Sequence, residues 1–444
     1  MAGLMGMVGR PSRIHSMSSN ARSVTAYGSE LPRSELLSYA QAALAVAERA
    51  ARRSHAVEQV PLDKARGRVL AQAVLADSDL PPFARSTRDG FACRAHEAST
   101  HEFLELAGAT RAGEAPAGPL PAAAAWEIMT GAPLPAGADA VVMVEHGVSS
   151  DGRVRLLPPR TILPGENIVP QGAEARAGET LLAAGAAITY AQIALAASCG
   201  YAELKIFRRP RVAILTTGDE LVAVQVTPGA GQIRNSNAPM LAALVAEAGG
   251  EAWVLATAAD EARDLDRLLA QAAAADMVLI SGGVSAGKFD LVEPALERMG
   301  ARFHFTGVRM QPGKPLVFGE LPAGAGTPVP VFGLPGNPVS SAVTFLLFAA
   351  PMLAALAGRR DSGPRFAMAR LARETDRRGK PGLTRFLPAH CDFGAGAGEL
   401  PTVVPVPWQG SGDLAALARS NCFLVIPEEV PGIAEGEMAR ILLC

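Results

Sequence analysis

Three short stretches carry the residue types that could handle a phosphorylated ligand. The first, Asp276 to Asp290, reads D-M-V-L-I-S-G-G-V-S-A-G-K-F-D. Its apolar opening, Met277-Val278-Leu279-Ile280, reads as a strand buried on both faces. Ser281-Gly282-Gly283-Val284-Ser285 then forms a loop with two hydroxyls and little bulk, so backbone N–H groups can approach a ligand closely. Lys288 and Asp290 add opposite charges to the same loop. The second stretch, Thr217-Gly218-Asp219-Glu220, ends an apolar strand, Arg211 to Thr216. The third, Leu334-Pro335-Gly336-Asn337-Pro338, leads into a long apolar helix whose N-terminus favours an anion. Each alone reads equally well as an ordinary strand-to-helix turn, because glycine-rich motifs recur without ligands. Together they are harder to dismiss.

The elements that must hold these loops follow a regular alternation. Strands are expected at 211–216, 252–256, 277–280, 303–308, 316–318 and 329–332. Helices are expected at 237–249 (Asn237 as cap), 260–274, 291–299 and 338 to about 357. Such alternation implies a central, open, mostly parallel α/β sheet covered on both faces. Ligands of such sheets sit beyond the carboxyl ends of the strands, so the three loops converge on one edge. Asp219, Glu220, Asp260 and Asp290 fall near that edge. Carboxylates beside a phosphate site point to a bridging Mg²⁺, since unscreened like charges repel; the plainer alternatives are a helix cap for Asp260 and a turn for Asp219.

The 444 residues allow several domains, and 49% hydrophobic residues allow large cores. Lys+Arg number 41 against Asp+Glu 43, which argues against coating nucleic acid or an anionic membrane. The five cysteines are scattered, with no C-x-x-C, and point to a reducing, cytoplasmic compartment rather than a disulfide framework. Residues 1–31 lack the apolar core of a signal peptide and read as a disordered extension. No window is expected to reach the apolar length of a membrane span. A linking helical domain is assigned to 32–55 plus 166–205, with a helix from about 34 to 53 capped by Ser34 and another at 189–198 stopped at Gly200. A β-rich inserted domain occupies 56–165. It holds two polar stations, Ser86-Thr87-Arg88-Asp89-Gly90 and Met129-Thr130-Gly131-Ala132-Pro133-Leu134-Pro135, each explicable alone as turn chemistry. The α/β domain covers 206–360. Residues 361–444 read as a small C-terminal β-barrel or sandwich, taken as a barrel, with strands at 366–371, 385–390, 402–405, 422–426 and 439–443, a basic turn at 377–380, and a small loop around Ser411.

Taken in order, S-T-R-D-G-F-A, M-T-G-A-P-L-P, T-T-G-D-E-L, G-Q-I-R-N-S-N, I-S-G-G-V-S-A-G-K-F-D, Q-P-G-K-P and G-L-P-G-N-P-V-S resemble the molybdopterin molybdenumtransferase family of the bacterial MoeA type, which is similar to the gephyrin E domain. The resemblance runs from about residue 33 to the end. It implies a multidomain molybdopterin-binding fold, and insertion of molybdate into adenylylated molybdopterin with Mg²⁺-dependent release of AMP. It also implies a homodimer with its site between subunits. The partners it implies are small-molecule substrates, the molybdopterin adenylyltransferase and recipient molybdoenzymes, with no nucleic acid and no membrane. Carried onto this chain, it gives Asp89, Thr130, Asp219, Glu220, Asp290 and Lys314 catalytic roles. Glu220, Asp260 and Asp290 become metal ligands. Gly218, Asn235, Ser281, Gly282, Gly283, Ser285, Pro335, Gly336, Asn337, Pro338, Arg385 and Ser411 become cofactor or substrate contacts. The chain departs from the pattern at Ala84-Arg85, at Gln171-Gly172-Ala173-Glu174 and at Gln311. Rival readings are a scaffold or paralogue of reduced activity, and the adenylyltransferase of the preceding step; the acids at Asp219, Glu220 and Asp290 and the extra β units speak against them.

Overall fold

A computed structural model describes residues 36–52, 56–157, 161–284, 291–322, 326–375, 382–394, 396 and 399–444. The central element is a six-stranded sheet ordered Glu251–Val254, Arg211–Thr216, Met277–Ser281, Val329–Leu334, Val317–Leu321, Arg302–Phe305. The first four strands run parallel and the last two pair antiparallel. Every residue of Met277–Ser281 is buried, which is why the strand reads as unbroken apolar sequence.

Alternation along that strand divides the core. Met277 and Leu279 pack with Ile214, Leu241, Phe332 and Phe348 on one face; Val278 and Ile280 pack with Leu215, Leu268 and Val331 on the other. The helix Ala262–Ala272 shows the matching period, with Leu265, Leu268, Leu269 and Ala272 buried. Burying each such Leu or Ile contributes roughly 1.5–3 kcal/mol, so these stripes fix which way the sheet edge and its loops face.

The inserted region forms a second six-stranded sheet, with Gly90–Cys93 between Ala140–Met143 and Ala124–Ile128. Before and after it the chain pairs with itself: Val57–Pro61 with Glu203–Phe207, Val74–Leu75 with Thr180–Leu182, and Arg85–Ser86 with Ile168–Val169. In the C-terminal region Thr384–Asp392, Thr402–Pro405, Phe366–Leu371, Met438–Leu443 and Cys422–Ile426 close into a five-stranded barrel, because Cys422–Ile426 pairs back onto Thr384–Asp392. The strands Val308–Gln311 and Leu37–Ser38 extend the barrel's sheet.

Several local expectations are corrected. The first helix is Tyr39–Ala50, capped by Ser38 in a reciprocal box with Gln41; Ser34 lies outside the described residues. The run 303–308 is two strands, since Val308–Gln311 leaves the α/β sheet to pair with the barrel. Asn237 is the first residue of the helix Asn237–Glu247 and not its cap. The helix expected at 260–274 is Ala262–Ala272, and Asp260 does not cap it. Among the described residues one helix, Pro338–Leu356, is long and apolar enough to cross a membrane by length and composition, against the sequence expectation. It is 67% buried inside the fold, as the helix covering one face of the sheet. Its middle turn, Phe345–Ala349, is π-helical. Pro351 lacks the N–H that would bond back to Leu347, and a widened turn accommodates that loss.

Candidate functional site

The three glycine-rich loops meet because their strands are neighbours. Thr216 lies opposite Ser281 and Ser281 opposite Leu334, so the three chains leave the sheet at one level. Thr217 N–H then donates to Ser281 O (3.1 Å) and Gly282 N–H to Leu334 O (3.1 Å). Gly282 has φ +100° and Gly283 φ +65°, conformations costly for other residues. A Cβ on Gly282 would lie 2.7 Å from Thr217 O, so a side chain there is excluded twice over. A Cβ on Gly336 would lie 3.5 Å from the Gly282 Cα, which places these two loops against each other.

Asn237 ties the same loops. Its Nδ2 donates to Ser281 Oγ at 2.9 Å and to Gly336 O at 2.6 Å. Asn235, the other asparagine of N-S-N, is buried and spends its side chain inside the fold: Nδ2 on Thr216 Oγ1 (2.8 Å) and Thr257 Oγ1 (3.1 Å), Oδ1 on the Ala238 N–H (3.1 Å). Two polar atoms at this junction, Thr217 Oγ1 and Asn237 Oδ1, are buried with no hydrogen-bond partner among the described residues. Orphan groups of this kind are uncommon and costly, and they accumulate where ligands or ordered waters belong.

Asp219 and Asp260 approach each other through the backbone. Asp260 N–H donates to Asp219 Oδ1 at 3.0 Å and Asp219 N–H to Asp260 Oδ2 at 3.5 Å. The Glu220 carboxylate folds against Gly218, where a Cβ would meet it at 2.5 Å. Among the described residues no group of three or more His, Cys, Asp or Glu side chains is gathered as a metal site. Ser285, Lys288 and Asp290 lie outside the described residues. The Asp219–Asp260 pair still suits Mg²⁺, which is commonly held by one or two carboxylates with waters and substrate phosphates completing its shell.

On the barrel side, Asn337 Nδ2 donates to Ser411 Oγ at 2.8 Å, and Val339 N–H to Ser411 O at 3.0 Å. The Ser411 loop is shaped by Asp413, which caps the helix Leu414–Ala418. The N–H groups of Ala416 and then Gln409 hold its carboxyl below the usual carboxylate range. An open hollow of about 560 Å³ lies over Gln409–Asp413. Pro335 O accepts from Ser281 Oγ at 3.5 Å, and Pro338 begins the long helix. Arg385 is buried beside Gln311 in register and donates to Pro431 O; Lys314, three residues further on, is exposed. Asp89 and Thr130 form a separate pair. Thr130 N–H and hydroxyl reach Asp89 Oδ1 at 2.6 and 2.8 Å, and these two bonds, the backbone one first, hold that carboxyl low. No hydrogen bond or ion pair joins this pair to the α/β loops among the described residues.

Three family profiles span most of the chain. "MoeA N-terminal region (domain I and II)" matches residues 37–200, "Probable molybdopterin binding domain" 213–355, and "MoeA C-terminal region (domain IV)" 369–444. A molybdopterin molybdenumtransferase of Nostoc sp. is 35% identical over 398 residues, 87% of this chain and 88% of its own length. Molybdopterin molybdenumtransferase 2 of Mycobacterium tuberculosis is 38% identical over 395 residues, 86% and 94% respectively. The chain belongs to the molybdopterin molybdenumtransferase (MoeA) family. It thereby joins the transferases of molybdenum cofactor biosynthesis. The solved structure of a molybdopterin biosynthesis moea protein from Pyrococcus horikosii agrees, with a TM-score of 0.74 at 31% identity, over 92% of this chain and 99% of its own.

Within this MoeA-family site, Thr217 and Asn237 are two residues to which the sequence assigns no site role. Both stand inside quoted motifs, T-T-G-D-E and N-S-N. The available signal was positional: Asn237 opens a helix beside two glycine loops, where a side-chain amide can bridge. Motif matching favoured Asn235, whose amide is consumed internally.

Proposed function

We propose that this chain inserts molybdate into adenylylated molybdopterin and releases AMP, with Mg²⁺ assistance. The observation that carries the reading is the junction of three glycine-rich loops at the carboxyl edge of one parallel sheet, with a carboxylate pair beside it and a helix N-terminus opening from it. Backbone donors around Gly282, Gly283 and Gly336 suit the phosphates and the pterin, and the start of the Pro338 helix adds a favourable field for an anion. By resemblance, Lys314 adds positive charge for the phosphates; Asp290, which also takes its role from the resemblance, lies outside the described residues. Asp219 and Asp260, with Glu220, are the residues that would hold Mg²⁺. When bound, that ion neutralises the pyrophosphate and polarises the bond to be cleaved. Arg385 and Ser411 suit molybdate or phosphate on the barrel side.

A molybdate oxygen attacks the AMP phosphorus, the phosphoanhydride P–O bond breaks with the bridging oxygen kept on the molybdopterin phosphate, the attacking oxygen departs on AMP, and the dithiolene sulfurs fill the molybdenum position it vacates, so the protein need not provide a nucleophile. The thiols suit that role poorly: burial, reinforced by Asp139 and Glu97, pushes Cys93 up to about 12, and burial pushes Cys422 up to about 12. Asp89 and Thr130 form a preorganised pair with no link to the α/β loops among the described residues, which suits a homodimer in which one copy presents the pair to the other's loops. A reducing, cytoplasmic location suits the five free cysteines. The reading is tested by incubating purified protein with adenylylated molybdopterin, molybdate and Mg²⁺ and following AMP. Substrate binding without AMP release under those conditions would sink it.

A further inference from the structure

We infer that Asn237 is a positioning residue for the transferase reaction: it locks the Ser281–Gly283 loop to the Pro335–Asn337 loop and so sets the gap that receives the ligand. The inference rests on the proposed function for the identity of that ligand. Asn237 opens a helix, yet it does not serve that helix, because Asn235 Oδ1 takes the Ala238 N–H. Its amide instead reaches 44 residues along the chain to Ser281 Oγ and 99 residues to Gly336 O, at 2.9 and 2.6 Å. The orientation follows from chemistry: a backbone carbonyl only accepts, so Nδ2 must face Gly336. Oδ1 is left buried and unpartnered among the described residues. A brace needed only for packing would be better made without that orphan atom. The amide is explained by what its donor holds. Gly282 and Gly336 approach within side-chain distance of each other, and the one amide bonded to both loops adds to the Gly282 N–H···Leu334 O and Ser281 Oγ–H···Pro335 O bonds in holding that approach.

The test uses the full-length protein and compares AMP-release kinetics and thermal unfolding for wild type, Asn237→Asp, Asn237→Ala, Ser281→Ala and the double Ala variant. Asn237→Asp keeps the shape but turns the donor into an acceptor facing Gly336 O. It is expected to raise KM for adenylylated molybdopterin about tenfold, with kcat within about twofold, and to lower the melting temperature by several degrees, because a carboxylate set against a buried carbonyl loses both hydrogen bonds. Asn237→Ala and Ser281→Ala should combine less than additively in KM, because both remove the same bridge. An unchanged KM in Asn237→Asp, strict additivity of the pair, or a KM that across the variants only tracks lost thermal stability would each overturn the inference. If wild type binds adenylylated molybdopterin but releases no AMP, the proposed function fails, and the same comparison made on Kd still decides the role of Asn237.

Discussion

Thr217→Val isolates the orphan hydroxyl at the loop junction. Thr217 is 8% exposed, its backbone N–H is bonded to Ser281 O, and its Oγ1 has no partner among the described residues. Leaving a hydroxyl buried without a partner costs about 1–3 kcal/mol. Valine keeps the β-branched shape, and the slightly larger methyl gives back part of the gain. The expected net effect on the ligand-free protein is a stabilisation of about 1 kcal/mol. For a unit of 150–250 residues this is a rise of about 2–4 °C in melting temperature. Binding should move the other way, because a hydroxyl kept unpaired in the free protein is available to a ligand, and KM for adenylylated molybdopterin should rise. Differential scanning calorimetry of the free protein, beside steady-state AMP release, reads both quantities. A Thr217→Val protein that melts several degrees lower would show that the hydroxyl is already bonded in the free state, and the reasoning from orphan atoms would fall.

Two further expectations come from the same geometry. Gly282→Ala forces a side chain into φ +100° against Thr217 O and should destabilise by at least about 1–3 kcal/mol. Gly336→Ala meets only the Gly282 Cα at 3.5 Å, so it should fold like wild type in a denaturant titration while losing affinity for the substrate; equal loss of stability in both would contradict the loop geometry. For Asp89, the Thr130 N–H first and its hydroxyl second depress the folded-state value. The stability this lends is present above the unfolded carboxylate value and is lost as pH falls through the depressed one. Asp89 therefore stays ionised through the neutral and mildly acidic range. Asp89→Asn should lower activity without removing any acidic limb that wild type shows at pH 5–6; disappearance of that limb would show that Asp89 titrates there.

Much of the fold was legible because burial writes itself into short segments. Arg211–Thr216, Phe366–Leu371, Thr402–Pro405 and Cys422–Ile426 match the sequence expectation residue for residue; the first and last are buried runs, and the other two are half-exposed strands set off by the turns around them. What escaped depends on partners distant in the chain. Ser38 rather than Ser34 is the cap of the first helix because Leu37–Ser38 is held extended against Val308–Arg309. The run 303–308 divides because Val308 to Gln311 turns to the barrel, a destination no local pattern announces. At the site, loop convergence could be read from strand order logic, since three loops after parallel neighbours must share an edge. The roles of individual side chains could not. Asp260 is explained by capping in sequence and by the Asp219 N–H in the structure; Asn237 is explained by a cap in sequence and by two loops in the structure. In each case the deciding partner belongs to another element.

The central claim, that this chain exchanges the adenylyl group of its substrate for molybdenum, is tested most directly by stoichiometry. AMP released and molybdenum incorporated into molybdopterin are counted together in single-turnover reactions with and without molybdate. The account predicts one AMP for each molybdenum incorporated, and no AMP when molybdate is left out. Molybdenum incorporated without AMP, or AMP released at the same rate in the absence of molybdate, would contradict it.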